Sequence, residues 1–224
     1  MKTILLGGFF ALALLAPGTL MAGVIRGILR VPAGSVASAA AINPYPGRAS
    51  SMPGHRPKAL GGVMDAVIHV DRVPVATESL LAATTRDRPK LAQANQAFVP
   101  RVLAIAVGTS VDFPNQDPIY HNVFSLSPTR RFDLGKYPRG GSRRVVFPKV
   151  GLVNVYCDIH SDMEAFVLVL PHHGFTRPAA SGEFRLPELP AGRYMLRAWH
   201  PDLGERTVNV EVPESGMVAV DLSY

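Results

Sequence analysis

One stretch, residues 151–170, constrains the fold of this chain more than any other. Gly151 opens a run in which Val153, Val155 and Cys157 share a face by the two-residue period of a strand. Phe166-Val167-Leu168-Val169-Leu170 resumes the β pattern and Pro171 ends it. The intervening Cys157-Asp158-Ile159-His160-Ser161-Asp162-Met163 has length only for a tight loop. A thiol, an imidazole and a thioether therefore sit at three-residue intervals, with Cys157 emerging from the core side of its strand.

Those three donors have a common chemistry. Cysteine and methionine sulfur favour Cu(I), imidazole accepts either oxidation state, and a trigonal His2Cys set with a weak axial Met is a copper arrangement. The second histidine is available upstream, where His121 follows the turn-rich Pro114-Asn115-Gln116-Asp117-Pro118 and leads into the apolar Val123-Phe124. His121, Cys157, His160 and Met163 are the candidate metal ligands. Cys157 is the only cysteine in the chain, so no internal disulfide can form, and a lone exported thiol needs burial or a metal to escape oxidation.

The phrase Cys157-x-x-His160-x-x-Met163, with His121 in an Asp-x-x-x-His-Asn-Val context, resembles the ligand pattern of the small blue-copper proteins, the cupredoxins. Its short loop is most similar to that of amicyanin, within an amicyanin/plastocyanin-like group. The resemblance covers residues 88–171 and implies a Greek-key β-sandwich, one type 1 mononuclear copper and one-electron transfer to a redox partner protein, a cytochrome or a dehydrogenase. It also gives Asn122 the task of tying the two ligand loops together. Asp158 and Asp162 make the loop locally acidic, in contrast to the apolar surround of amicyanin.

The N-terminus suggests export. Lys2, an apolar run from Ile4 to Ala16, Pro17-Gly18 and a small Ala22 have the form of a secretory signal with cleavage after Ala22. The run is too short for a membrane span of about 20 residues. No cysteine there offers a lipid site, so a soluble mature protein without a span is expected, placed in the periplasm by the family resemblance. The formal net charge is +6. Much of it lies in Arg130, Arg131, Lys136, Arg139, Arg143, Arg144 and Lys149, which reads either as a solvated hairpin or as a surface steering an acidic partner. Export and the lack of interleaved aromatic residues argue against nucleic-acid binding.

Elsewhere the chain reads as all-β. Strands are expected at 24–31, where Arg26 and Arg30 oppose Ile25 and Leu29, and at 66–70, 102–107 and 110–113, with another beginning at His121. Residues 32–62, dense in Ala, Ser, Gly and Pro, read as a flexible loop. Residues 71–97 have no clear period beyond one helical turn near Ser79, and the glycine-rich basic stretch reads as a turn region before Arg143. Gly182–Trp199 alternates on both sides of a Pro/Gly turn, a hairpin by pattern. Its Gly182-x-Phe184-x-Leu186 and Leu189-Pro190-x-Gly192-x-Tyr194 resemble the carboxypeptidase regulatory-like sandwich, for which Ile25-Arg26-Gly27-Ile28-Leu29 supplies an opening strand. The expected organisation is a signal over 1–22, a regulatory-like sandwich made of 23–75 and 172–224, and a copper domain over 88–171 inserted in it or merely preceding its C-terminal part. Chains pairing these modules resemble methylamine-utilisation proteins.

Three functions follow for such a chain: electron carrier, copper delivery or storage module, and metal-free scaffold. No second histidine cluster or supported Ser/His/Asp set points to catalysis. His172 and His173 are adjacent and point to opposite faces of a strand, against a shared metal. Trp199-His200-Pro201 reads as an interdomain contact, and His69 has no evident partner.

Overall fold

The computed structural model describes residues 22–32, 61–85 and 88–224. The expected signal up to Met21 and residues 33–60 of the expected loop lie outside these residues. The described residues are all-β apart from one 3-10 turn and one helix.

Strand β1 (Ala22–Arg30) and the short β2 (Val67–Val70) open the fold and are followed by helix α1 (Val75–Thr84). A tight hairpin comes next, β3 (Ala92–Ala94) and β4 (Ala97–Val99), turned by Asn95 and Gln96 at φ of 54° and 56°. Two positive φ values are the signature of a hairpin turn that matches strand twist. The middle of the chain supplies β5 (Val102–Ala106), β6 (Ser110–Pro114), β7 (His121–Ser125), β8 (Phe132–Tyr137), β9 (Ser142–Val146), β10 (Gly151–Tyr156) and β11 (Glu164–Leu170). The remainder forms β12 (Phe175–Thr176), β13 (Glu183–Arg185), β14 (Leu189–Pro190), β15 (Gly192–His200), β16 (Gly204–Val212), β17 (Gly216–Ala219) and β18 (Leu222–Ser223).

Four layers result. The middle strands form a sheet in the order β5-β11-β10-β7-β8, faced by the β6–β9 pair. Between them lies a core containing Phe113, Val123, Tyr137, Phe147, Val153, Val155 and Cys157. On the other side, β12-β2-β15-β16 faces a sheet in which β1 pairs with β13, β14, β17 and β18. Their core holds Ile25, Leu29, Ile68, Leu189, Leu196 and Val210. Gly27 is required at this second core, because a Cβ there would lie 1.8 Å from the Val220 carbonyl oxygen.

The two inner sheets meet through a third cluster. Ala165, Val167 and Val169 of β11 point into the first core, whereas Phe166 and Leu170 meet Val67 and Trp199 of the neighbouring sheet. A strand buried on both faces needs a continuous apolar run rather than alternation, and Ala165–Leu170 supplies it. Beside this cluster the Arg101 guanidinium donates to Asp65 at 3.0 Å and to Asp202 at 2.8 and 2.9 Å. It also lies 5.2 Å from the Phe166 ring centroid. His200, fully buried, approaches the Gly62 carbonyl at 3.3 Å and accepts from the Asp202 N–H at 3.2 Å, so it belongs to this same junction.

Three readings of the sequence are corrected. The expected hairpin within Gly182–Trp199 does not form. The two short strands on the first side of its turn pair with β1, and β15 pairs instead with β16 and β2. The basic stretch is not merely a turn, since Phe132–Tyr137 pairs with β7 and buries Tyr137. The helix extends over ten residues, anchored where Glu78 accepts from the His173 backbone N–H at 2.8 Å and its ring at 2.7 Å. Among the described residues, no helix is long and apolar enough to cross a membrane.

Arg101 ties two mostly buried carboxylates. Burial alone would raise the Asp202 carboxyl, but the bonds from Arg101 and the Gly61 N–H hold it below the usual range. Its contribution to stability is therefore complete above the unfolded carboxylate value of about 4 and is lost as pH falls through the lower folded value. Arg101→Met should cost about 3 kcal/mol in urea unfolding at neutral pH. It should also flatten the loss of stability below about pH 4.

Candidate metal centre

The site forms where β7 begins and β10 ends. These strands are hydrogen-bonded neighbours in the same sheet, with Tyr156 opposite Phe124, so the end of one lies beside the start of the other. Cys157 follows β10 directly and is 2% exposed. The alternation that buries Val153 and Val155 carries its side chain into the same core. His121, the first residue of β7, is fully buried. His160 lies in the loop between β10 and β11 and is half-buried. The Met163 N–H donates to the His160 carbonyl at 3.1 Å, closing this loop into a turn. Met163 is 1% exposed and packs in the core that holds Cys157.

Three of the four candidate donors converge. His121 Nδ1 is 3.1 Å from His160 Nδ1, and Cys157 Sγ is 3.9 and 4.0 Å from these two nitrogens. The triangle they define has a circumscribed radius of about 2.1 Å, close to metal–nitrogen and metal–thiolate bonds of about 2.0–2.1 and 2.3 Å. The hydrogen bonding agrees. His121 Nε2 lies 2.8 Å from the Asp117 carboxylate, a buried contact in which the ring donates. With Nε2 engaged by the carboxylate, Nδ1 is the nitrogen that faces His160 and Cys157. Two Nδ1 atoms so close require a cation or a proton between them, and the donor chemistry fits a soft or borderline metal ion.

Asp117 is the residue that sequence reasoning missed. In the sequence it reads only as part of the turn-rich segment and of the context of His121, although its four-residue spacing from His121 is visible. Its carboxylate also accepts the backbone N–H groups of Asn95 at 2.6 Å and Gln96 at 2.8 Å, from the β3–β4 turn. Burial alone would raise it, but the bonds from Gln96, His121 and Asn95 hold it below the usual carboxylate range. Asn115 fixes the segment, accepting from the Asp117 N–H and donating to the carbonyls of Ile119 and Tyr137.

Asn122 does not tie the two ligand loops together. Its side-chain amide donates to Asp133 at 2.8 Å, joining β7 to β8 beside the bulge there. Asp158 and Asp162 are exposed, and Asp158 lies 3.9 Å from Lys136. His69 approaches the Val70 carbonyl, whereas His172 and His173 engage the Gly174 N–H and Glu78 respectively.

No protein-family model matches the sequence, and no curated protein is similar enough to count as a relative. Solved structures similar to part of the chain include a copper-containing nitrite reductase from Thermus scotoductus SA-01. That match has 26% identity and a TM-score of 0.36, covering 38% of this chain and 22% of the reductase. A purple cupredoxin from Nitrosopumilus maritimus is 23% identical with a TM-score of 0.34, covering 37% of this chain and 99% of its own. An amicyanin variant in its reduced state is 19% identical with a TM-score of 0.35, covering 40% of this chain and 89% of its own. At such scores the donor geometry, rather than the likeness, carries the chemistry.

Tyr137 holds this end of the core together. Its hydroxyl donates to the Phe113 carbonyl at 2.8 Å and accepts from the Gln93 amide at 2.6 Å, and burial pushes its pKa up to about 12. Tyr137→Phe leaves both partners buried without their bonds. It should lower the unfolding free energy by about 2 kcal/mol in a denaturant titration.

Proposed function

We propose that the chain is a copper-binding electron carrier, in which His121 Nδ1, Cys157 Sγ and His160 Nδ1 hold one ion and Met163 supplies a weaker fourth donor. The observation that supports this most is the convergence of two imidazole nitrogens and one thiol sulfur at bonding spacing, with His121 and Cys157 buried. Copper in such a set supplies reversible one-electron exchange. The protein's part is to keep the donors in one arrangement. Cys157 is anchored at the end of a core strand, and His121 is locked by Asp117. His160 is the half-buried member and offers the shortest way to solvent. With Met163 as a fourth donor, a bound ion would have no open position for a substrate, which favours carriage over catalysis.

The regulatory-like unit is proposed to consist of 23–75 and 172–224, with 88–171 inserted between them. This is supported by β1 and β2 pairing with strands that all follow residue 172. The signal-like N-terminus supports export to the periplasm. A methylamine-utilisation setting rests on the paired modules alone.

The partner is proposed to be a redox protein with an acidic face, a cytochrome or a dehydrogenase. Arg131, Lys136, Arg139, Arg143 and Lys149 are exposed along β8, β9 and the adjoining turns, and Lys136 stands opposite Asn122, next to His121. Arg144 contributes less, being engaged by Asp112 at 2.6 Å.

The full chain with Cu(II) should show the intense visible absorption of a copper–thiolate bond, and Cys157→Ser should abolish it. A complex that forms only with Cu(I) and stays colourless would turn the reading toward delivery or storage. Rates of electron exchange with an acidic partner should fall steeply as salt rises. Charge reversal at Arg139 and Lys149 should remove most of that dependence.

A further inference from the structure

The Asp117 carboxylate has an unusual setting. It is 6% exposed, touches the ring of one candidate ligand, and among the described residues is paired with no arginine or lysine. Its other partners are two backbone N–H groups of the Asn95–Gln96 turn. Such bonds stabilise a carboxylate as an anion without cancelling its charge. A full negative charge is thereby held against the far nitrogen of His121, in surroundings where charges act over a longer range than in water.

We propose that Asp117 sets the redox level of the centre: its uncompensated charge, acting through the His121 ring, favours the oxidised ion over the reduced one and holds the potential down. This deepens the copper reading above and rests on it. Two effects act in the same direction. The negative charge interacts more favourably with Cu(II) than with Cu(I), and a carboxylate accepting the Nε2 proton makes Nδ1 a stronger donor, which the harder Cu(II) rewards more. The β3–β4 hairpin is then part of the centre although it supplies no ligand, because its turn is shaped to keep the carboxylate ionised. Asp117 acts as a positioning residue through His121.

The test compares the copper-loaded full chain with its Asp117→Asn variant by redox titration while the thiolate band is followed. Asparagine has the size of aspartate and lacks its charge. The expected result is a band that persists and a potential that rises by about 59 mV or more, equivalent to a tenfold change in the preference for Cu(II) over Cu(I). Asp117→Glu, which keeps the charge, should stay nearer the wild-type value. A retained band with an unchanged or lowered potential in Asp117→Asn overturns the proposal and leaves the copper reading standing. Absence of the band in the wild type overturns both. Should Asp117→Asn fail to fold, nitrogen-resolved NMR of the Cu(I) wild type decides. A strongly deshielded, slowly exchanging proton on His121 Nε2 supports the carboxylate contact, and an ordinary or absent Nε2 proton overturns it.

Discussion

Strand β11 is the constraint on which the rest of the architecture depends. Its odd-numbered residues complete the core beneath the candidate metal centre, while Phe166 and Leu170 form the junction with the neighbouring sheet. It pairs with β10 along six residues and with β5 along five. The loop bearing His160 and Met163 therefore springs from a strand held on both edges and both faces. A change of register there would exchange the residues of the two cores at once, so the position of the loop is specified far more tightly than its own few hydrogen bonds could achieve.

The centre is assembled from parts of different rigidity. Cys157 and His121 extend well-packed strands, Met163 lies in the core, and His160 alone is partly open to solvent. This gradient suits the proposed electron carriage, which needs fixed donors and one ligand near solvent. The Asn95–Gln96 turn and Asn115 extend the ordered region to segments that donate nothing to a metal but hold Asp117 in place.

Much of this was legible in the sequence where local pattern and tertiary environment agree. Val153, Val155 and Cys157 alternate because their strand has a single buried face, and the apolar run of β11 marks a strand with two. The convergence of His121 with Cys157 and His160 was suggested by residue type and spacing. Other features were hidden for physical reasons. The alternation of Phe132 and Leu134 is broken before Tyr137 by a bulge in β8 itself, where Leu134 and Gly135, the latter at positive φ, stand opposite Val123 alone. Residues 182–199 carry a hairpin pattern, yet the backbone groups of β13 and β14 are taken by β1, a partner more than 150 residues away in sequence that no local rule can supply. Asp117 looked like a turn residue, because its role depends on a hairpin tip that only the folded chain brings over it.

The junction also gives the molecule a built-in optical marker. The chain has a single tryptophan, Trp199, whose ring stands edge-on to Phe166 with centroids 6.2 Å apart. Its fluorescence therefore reports the seam between the two inner sheets, while any visible colour would report the donor cluster within the neighbouring core. Two wavelengths would thus follow two regions of one polypeptide, and their coincidence or separation on heating would reveal whether the layers come apart as a unit.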